Sequence, residues 1–226
     1  MIVVNPLNNS VTVFNVASDA NQKLAEIQVG VEPQAVAISN DNKLAFVTNQ
    51  GSNSVSILDL TSNTQVAQVK VGVEPYGIAP TPDGTRAYVV NGSSRSVSII
   101  DTASRQVSAT IPLPIVEPRG VAITANNNGV GVQFVDVTQF LSQLAPNGRE
   151  TSDTGREGKV VVLSTSDDKN IQGTIILAPH ETSFTADRTA FGGTAEEMMT
   201  AFPNQLQSIV LKNGKGYLPN YTQTND

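Results

Sequence analysis

The sequence predicts an all-β protein, a β-propeller built from four-stranded blades of about 42 residues. Three observations predict it. The pattern at 31–72 recurs at 73–114 with one constant step of 42 residues from Pro33 to Pro75, Asn49 to Asn91 and Asp59 to Asp101. Short runs rich in Val, Ile, Phe and Tyr are separated by Gly, Pro, Asn and Asp at close spacing, which is how strands and tight turns read. Pieces of the same pattern recur on both sides of the two regular copies. The chain is therefore expected to form one propeller over 1–226. Its parts are a partial blade at 1–30, whole blades at 31–72 and 73–114, a blade with an insertion at 115–178, and a partial blade with a helical insertion at 179–226.

Each regular unit divides into strands A to D. Strand A is expected at 34–39, 76–81 and 119–124, where Ala35, Ala37, Gly77, Ala79, Gly120 and Ala122 are small enough for backbones to approach closely. That crowding places strand A nearest the propeller axis. The preceding Val-Glu-Pro (31–33, 73–75, 116–118) reads as the corner between blades, with proline pushing the residue before it toward extended geometry. Strand B ends at Asn5, Asn49 and Asn91, each closing a branched or aromatic run and opening a turn. Strand C is expected at 11–16, 55–60 and 97–102. In the regular copies it closes on Asp59 or Asp101, whose carboxylate suits a turn by accepting local backbone N–H groups. Strand D is expected at 23–29, 65–71 and 106–111.

Tyr88-Val89-Val90-Asn91, with Pro118-Arg119-Gly120-Val121-Ala122 as the fullest form of its upstream element and Val97-Ser98-Ile99-Ile100-Asp101 downstream, resembles the YVTN family of β-propeller repeats. The resemblance covers roughly the first 135 residues well and the rest in patches. It implies a surface-layer type of propeller and a secreted or surface-attached protein. Related propellers also occur in redox enzymes and lactonases, but no catalytic motif of theirs is matched here.

Beyond Thr124 the repeat loses regularity. Strand B of the fourth unit is expected at 130–135, strand C at 159–164 and strand D at 171–177. Within the intervening insertion Val137, Phe140, Leu141 and Leu144 have helical spacing, which predicts one or two turns of helix before Pro146. Residues 147–158 then read as a mobile charged loop. In the last unit strand A is expected at 181–186. Thr194 and Glu197 satisfy a capping box, predicting a short helix through Met198, Met199 and Phe202 that stops at Pro203. Strand returns at 208–211 and 216–220. With a strand B signature near each end, the chain is expected to be part of a longer propeller, with open strand edges.

Bulk chemistry narrows the function. Charged residues make up 15% and the formal net charge is -6, so no basic surface invites a phosphate backbone and nucleic acid is not an expected partner. No cysteine is present, which excludes disulfides, thiol nucleophiles, Cys-bound zinc and covalently attached haem. No apolar run approaches the roughly 20 residues of a membrane span, nor do the first residues read as a secretion signal. The surface is largely Asn, Ser, Thr and Gln, which suits an extracellular, cell-surface or periplasmic β-protein whose signal is not in this chain.

Candidate chemistry is sparse. His180 is the sole histidine, and a catalytic or metal role would require partners converging on it. The Asn/Asp turns at 40–42, 126–129 and 167–170 offer oxygen ligands without the spacing of a calcium loop. Neither a phosphate loop nor a nucleophile elbow is present. Neither cofactor nor metal is expected. Arg149, Arg156, His180, Glu181, Asp187 and Arg188, in the irregular half, are the candidate binding residues. The expected function is a non-catalytic propeller scaffold for binding or assembly, with a surface protein, a glycan or further copies of the chain as partner. The alternative is the propeller part of an enzyme, a lactonase-like hydrolase or a redox protein whose cofactor lies elsewhere.

Overall fold

The computed structural model describes residues 1–17, 21–124, 133–146, 156–177, 180–186, 197–204, 209–212, 215–217 and 221–223. They form an all-β architecture of successive antiparallel sheets, the first four of which resemble propeller blades. The first blade has β1 (Ile2–Asn5), β2 (Ser10–Asn15) and β3 (Gln22–Gln28). The second has β4 (Pro33–Ile38), β5 (Leu44–Asn49), β6 (Ser54–Asp59) and β7 (Thr64–Lys70). The third repeats it as β8 (Pro75–Pro80), β9 (Arg86–Asn91), β10 (Ser96–Asp101) and β11 (Gln106–Pro112). The fourth has β12 (Pro118–Ile123), β13 (Phe134–Gln139), the short β14 (Gln143–Leu144), β15 (Arg156–Ser164) and β16 (Asp167–Leu177). Beyond it β17 (His180–Ala186) pairs with β18 (Glu197–Asn204), and β18 with β21 (Tyr221–Gln223). Between these, β19 (Val210–Lys212) and β20 (Lys215–Tyr217) form a separate ribbon. Among the described residues no helix is long and apolar enough to cross a membrane.

Strand periodicity explains how blades stack. Successive side chains face opposite sides of a sheet, so Val47 packs with Val11, Val13 and Ile27 of the first blade, while Phe46 packs with Ile78, Val89 and Ile100 of the third. The next seam joins Tyr88, Val97 and Ile99 to Val135, Val161 and Leu163. Burying each such side chain contributes about 1.5–3 kcal/mol, and together these seams hold the sheets side by side. The strand A members β4, β8 and β12 neighbour one another in turn around the axis, as was expected, and β1, a strand B, lies beside β4. A Cβ added at Gly77 would collide with the Arg119 carbonyl oxygen, so β8 and β12 approach too closely for any larger residue.

The strand B asparagines are structural, by a route the sequence did not suggest. Asn91 Nδ2 donates to Ser96 Oγ at 3.1 Å and Ser98 Oγ at 2.9 Å on the neighbouring strand. Asn49 does the same with Ser54 and Ser56, and Asn5 with Ser10 and Thr12. The fourth blade lacks the hydroxyl pair: Val137 pairs with Val161 where Val89 pairs with Ser98, and residue 159 is a lysine. Its Gln139 turns instead to the Leu141 carbonyl.

Several expectations are corrected. The fourth strand B lies at β13, four residues later than expected, with Asp136 where the other blades have Phe46 and Tyr88. The helix expected from Val137 to Leu144 is strand and turn. Val135 and Val137 are buried on one face and β13 pairs on both edges, so sheet pairing overrides a helical spacing made from three unrelated pieces. Residues 156–158, expected in a mobile loop, begin β15, with Glu157 buried and paired to Lys159 at 2.9 Å. The second expected helix is β18, whose Glu197 to Ala201 lie along β17. An isolated helix this short is marginal in water, and a waiting sheet edge prevails. Thr194 lies outside the described residues, as do 125–132 and 147–155.

Candidate binding site at the channel mouth

The blade corners build one feature three times. Each strand A opens on a proline paired with the last residue of strand B: Pro33 with Asn49, Pro75 with Asn91 and Pro118 with Gln139. Directly after it the register shifts, between Pro33 and Ala35, Pro75 and Ile78, and Pro118 and Val121. Such a bulge takes a residue off the ladder and re-aims its side chain. In the second and fourth blades the amide left over is satisfied by a strand B threonine, Ala35 N by Thr48 Oγ1 at 3.1 Å and Gly120 N by Thr138 Oγ1 at 2.9 Å. The residue after the proline is Gln34, Tyr76 or Arg119. All three line one cavity of about 340 Å³ between the innermost strands, with Ile78, Val121 and Ile209.

The glutamate before each proline is not extended, as had been expected. Glu32, Glu74 and Glu117 have φ of 53°, 55° and 46°, a left-handed conformation that costs a non-glycine residue about 1–3 kcal/mol. Hydrogen bonds on both sides of the residue offset that cost. Glu32 N donates to Asn9 Oδ1 and Glu74 N to Asn53 Oδ1, each at 2.9 Å and each from the turn of the preceding blade. The three carbonyls accept Gln50 N, Gly92 N and Phe140 N at 2.8–2.9 Å. The corner is thus locked to its own blade's B–C turn, which brings Gln50, Gly92 and Phe140 beside the bulged residues.

A continuous row of side chains results. Gln50 Nε2 donates to Tyr76 Oη at 2.9 Å. The Tyr76 ring lies against Gly92, where a Cβ would sit 3.1 Å from Cδ2 and Cε2. Arg119 Cζ lies 4.5 Å from the Tyr76 ring centroid and 3.5 Å from that of Phe140. Its Nε is buried and has no hydrogen-bond partner. Its Nη2 is 3.7 Å from Glu117 Oε2, beyond hydrogen-bond distance. The guanidinium is therefore fixed by two rings while its donors remain unused, a preorganised arrangement for an incoming acceptor.

Most titrating carboxylates with perturbed chemistry are held in turns. The Thr61 and Ser62 amides lower the Asp59 carboxyl, with Ser62 the stronger cause, and the Ser104 hydroxyl followed by its amide lowers Asp101. Asp41 and Asp83 are lowered chiefly by the Ser39 and Thr81 hydroxyls, and Asp167 by Asn170. Asp136 shifts the other way, pushed up by burial. Among the described residues no group of three or more His, Asp or Glu is placed to hold a metal ion.

Of the residues singled out from sequence, Arg156, His180 and Glu181 fall within described strands. Arg156 begins β15 and donates through Nη1 to the Ser142 carbonyl at 3.1 Å. His180 and Glu181 lie in β17, paired in register with Ala201 and Thr200. Arg149, Asp187 and Arg188 lie outside the described residues. The mouth residues carried a signal of their own. Inside otherwise matching repeats, the position after Val-Glu-Pro changes from Gln34 to Tyr76 to Arg119, and the one after strand B from Gln50 to Gly92 to Phe140.

No family model matches the sequence, and no curated protein matches it either. Among solved structures the chain is similar to hydrazine synthase of Kuenenia stuttgartiensis, with 23% identity and a TM-score of 0.64 over 82% of this chain and 47% of that one. It is also similar to a Bacteroides fragilis protein provisionally described as a 6-phosphogluconolactonase, with 17% identity and a TM-score of 0.45 over 50% of this chain and 35% of that one. The first likeness defines the class as a β-propeller. The chain spans about half the length of that solved chain.

Proposed function

We propose that this chain is a non-catalytic propeller module of the YVTN type, carried by a secreted or cell-surface protein, that binds a glycan at the channel mouth. The observation that carries the reading is the contrast between frame and mouth. Pro33, Pro75 and Pro118, the left-handed glutamates and the bulges repeat, while the side chains they present do not: Gln34, Tyr76 and Arg119, then Gln50, Gly92 and Phe140. Function on rigid scaffolds resides in such positions. A cavity of about 340 Å³ suits a small ligand group, not a protein interface. Its Tyr76 ring, amide side chains and apolar Ile78 and Val121 match a sugar, which has a C–H face and a polar rim.

An array of cell-surface glycans, probed with the purified chain and with Tyr76→Ala, tests this. Saturable binding to a defined glycan, weakened at least about tenfold by the substitution, is expected. Binding untouched by Tyr76→Ala, or none across the array, contradicts the reading.

The enzymatic alternative has one residue in its favour. Asp136 is buried with a raised carboxyl and no hydrogen-bond partner among the described residues, the state of a poised general acid or base. Turnover of simple lactones that disappears in Asp136→Asn would favour it.

A further inference from the structure

We infer that the ligand group seated at Arg119 is the carboxylate of a sugar acid. The inference rests on the reading of the mouth as a glycan site and adds the chemistry of the group it takes. Three observations on one side chain carry it. Arg119 is displaced from the ladder by the bulge after Pro118 and lines the cavity shared with Gln34 and Tyr76. Its guanidinium carbon lies 4.5 Å from the Tyr76 ring centroid and 3.5 Å from the Phe140 centroid. Its Nε is buried and unpartnered.

A guanidinium covered by rings keeps its polar capacity at its edge, in the plane of the N–H groups. A planar carboxylate meets that edge through two parallel hydrogen bonds. Among the described residues its one charged partner within 4 Å is Glu117, 3.7 Å from Nη2 with a side chain 45% exposed, which balances the charge without reaching hydrogen-bond distance. An incoming carboxylate takes the Nη donors along that edge and competes with Glu117 for the cation. The rest of the cavity favours a sugar ring as the carrier. Tyr76 Oη already accepts from Gln50 and keeps its own proton to donate, Gln34 adds an amide, and Ile78, Val121 and Ile209 supply apolar walls.

Titration calorimetry with galacturonate, galactose, glutamate and inorganic phosphate separates the carboxylate from its possible carriers. Galacturonate is expected to bind at least about tenfold more tightly than galactose, glutamate or phosphate. Arg119→Gln removes that preference, and Arg119→Lys, which keeps the charge but not the planar fork, restores little of it. Glu117→Gln strengthens galacturonate binding severalfold. An unchanged thermal midpoint in Arg119→Gln establishes that the fold is intact, and the Glu117→Gln gain cannot come from misfolding. Equal binding of galacturonate and galactose, or indifference to Arg119→Gln, overturns the inference. So does glutamate or phosphate binding as tightly as galacturonate. Neutral sugars that bind in a Tyr76-dependent manner without any carboxylate preference would overturn it and leave the glycan site standing.

Discussion

The Tyr88 hydroxyl donates to the Asp168 carboxylate at 2.7 Å, across the seam between the third and fourth blades. Arg86 joins the same carboxylate through Nη1, at 2.9 Å and 2.7 Å to its two oxygens. Burial, and then the Asp168 hydrogen bond, push the Tyr88 phenol well above its ordinary value. The buried phenol stays neutral and serves as a donor throughout the physiological range. Tyr88→Phe removes one hydrogen bond to a charged acceptor and is expected to cost about 1.5–3 kcal/mol. Asp168→Ala should cost more, because it strands both the hydroxyl and the guanidinium. Urea unfolding of the two variants checks the order.

The asparagine network predicts a gradient among blades. Asn91→Ala leaves Ser96 and Ser98, both nearly inaccessible, without their common donor, at an expected cost of about 1–3 kcal/mol. Asn5→Ala removes the equivalent bonds in the first blade, where Asn5 is only half-buried and Ser10 keeps Glu26 Oε1 as a partner, so its loss should be smaller. Equal losses in denaturant melts would contradict the role of burial.

Close approach at the axis predicts an intolerant glycine. At Gly77 an added Cβ meets the backbone of Arg119, which cannot rotate away as a side chain could. Gly77→Ala is expected to cost about 1–3 kcal/mol through overpacking. Gly173→Ala, with nothing near the added carbon, should be close to neutral. Thermal melts of the pair give the comparison.

The aspartates predict opposite pH responses. Asp59 and Asp101 have lowered carboxyls, so their stabilisation is whole above the unfolded value near 3.9 and fades as pH falls through the lower folded value. Asp59→Asn and Asp101→Asn should therefore flatten the acid limb of a midpoint-versus-pH curve. Asp136 is raised by burial. Its contribution is whole below about 3.9 and is lost as pH rises through the higher folded value. Asp136→Asn is expected to raise the thermal midpoint at pH 7 and to lose that advantage near pH 3.

Sequence alone made the second and third blades legible because Pro33, Asn49 and Asp59 recur at one step, and every strand there falls within a residue of its expected place. The fourth blade was obscured by two substitutions at its signature positions. Asp136 stands where an aromatic residue was the landmark, and Gln139 where asparagine was. Once those letters changed, a coincidental helical spacing was the stronger local signal, and only pairing with β12 and β15 decides against it. The site was hidden for a different reason. A bulge and a left-handed glutamate depend on hydrogen bonds to neighbouring turns, such as that from Glu74 N to Asn53 Oδ1, and these have no trace in local propensity. What the sequence did carry was the change from Gln34 to Tyr76 to Arg119 within a constant frame.

The most direct test of the central claim, that ligand is engaged at the channel mouth and not by the irregular charged segment, compares two variants against one glycan. The glycan that binds most tightly on the array is titrated against the unaltered chain, Tyr76→Ala and a deletion of 147–155. The account predicts that Tyr76→Ala weakens binding at least about tenfold while the deletion leaves affinity within about twofold. Loss of binding on deletion, with Tyr76→Ala unaffected, would contradict it.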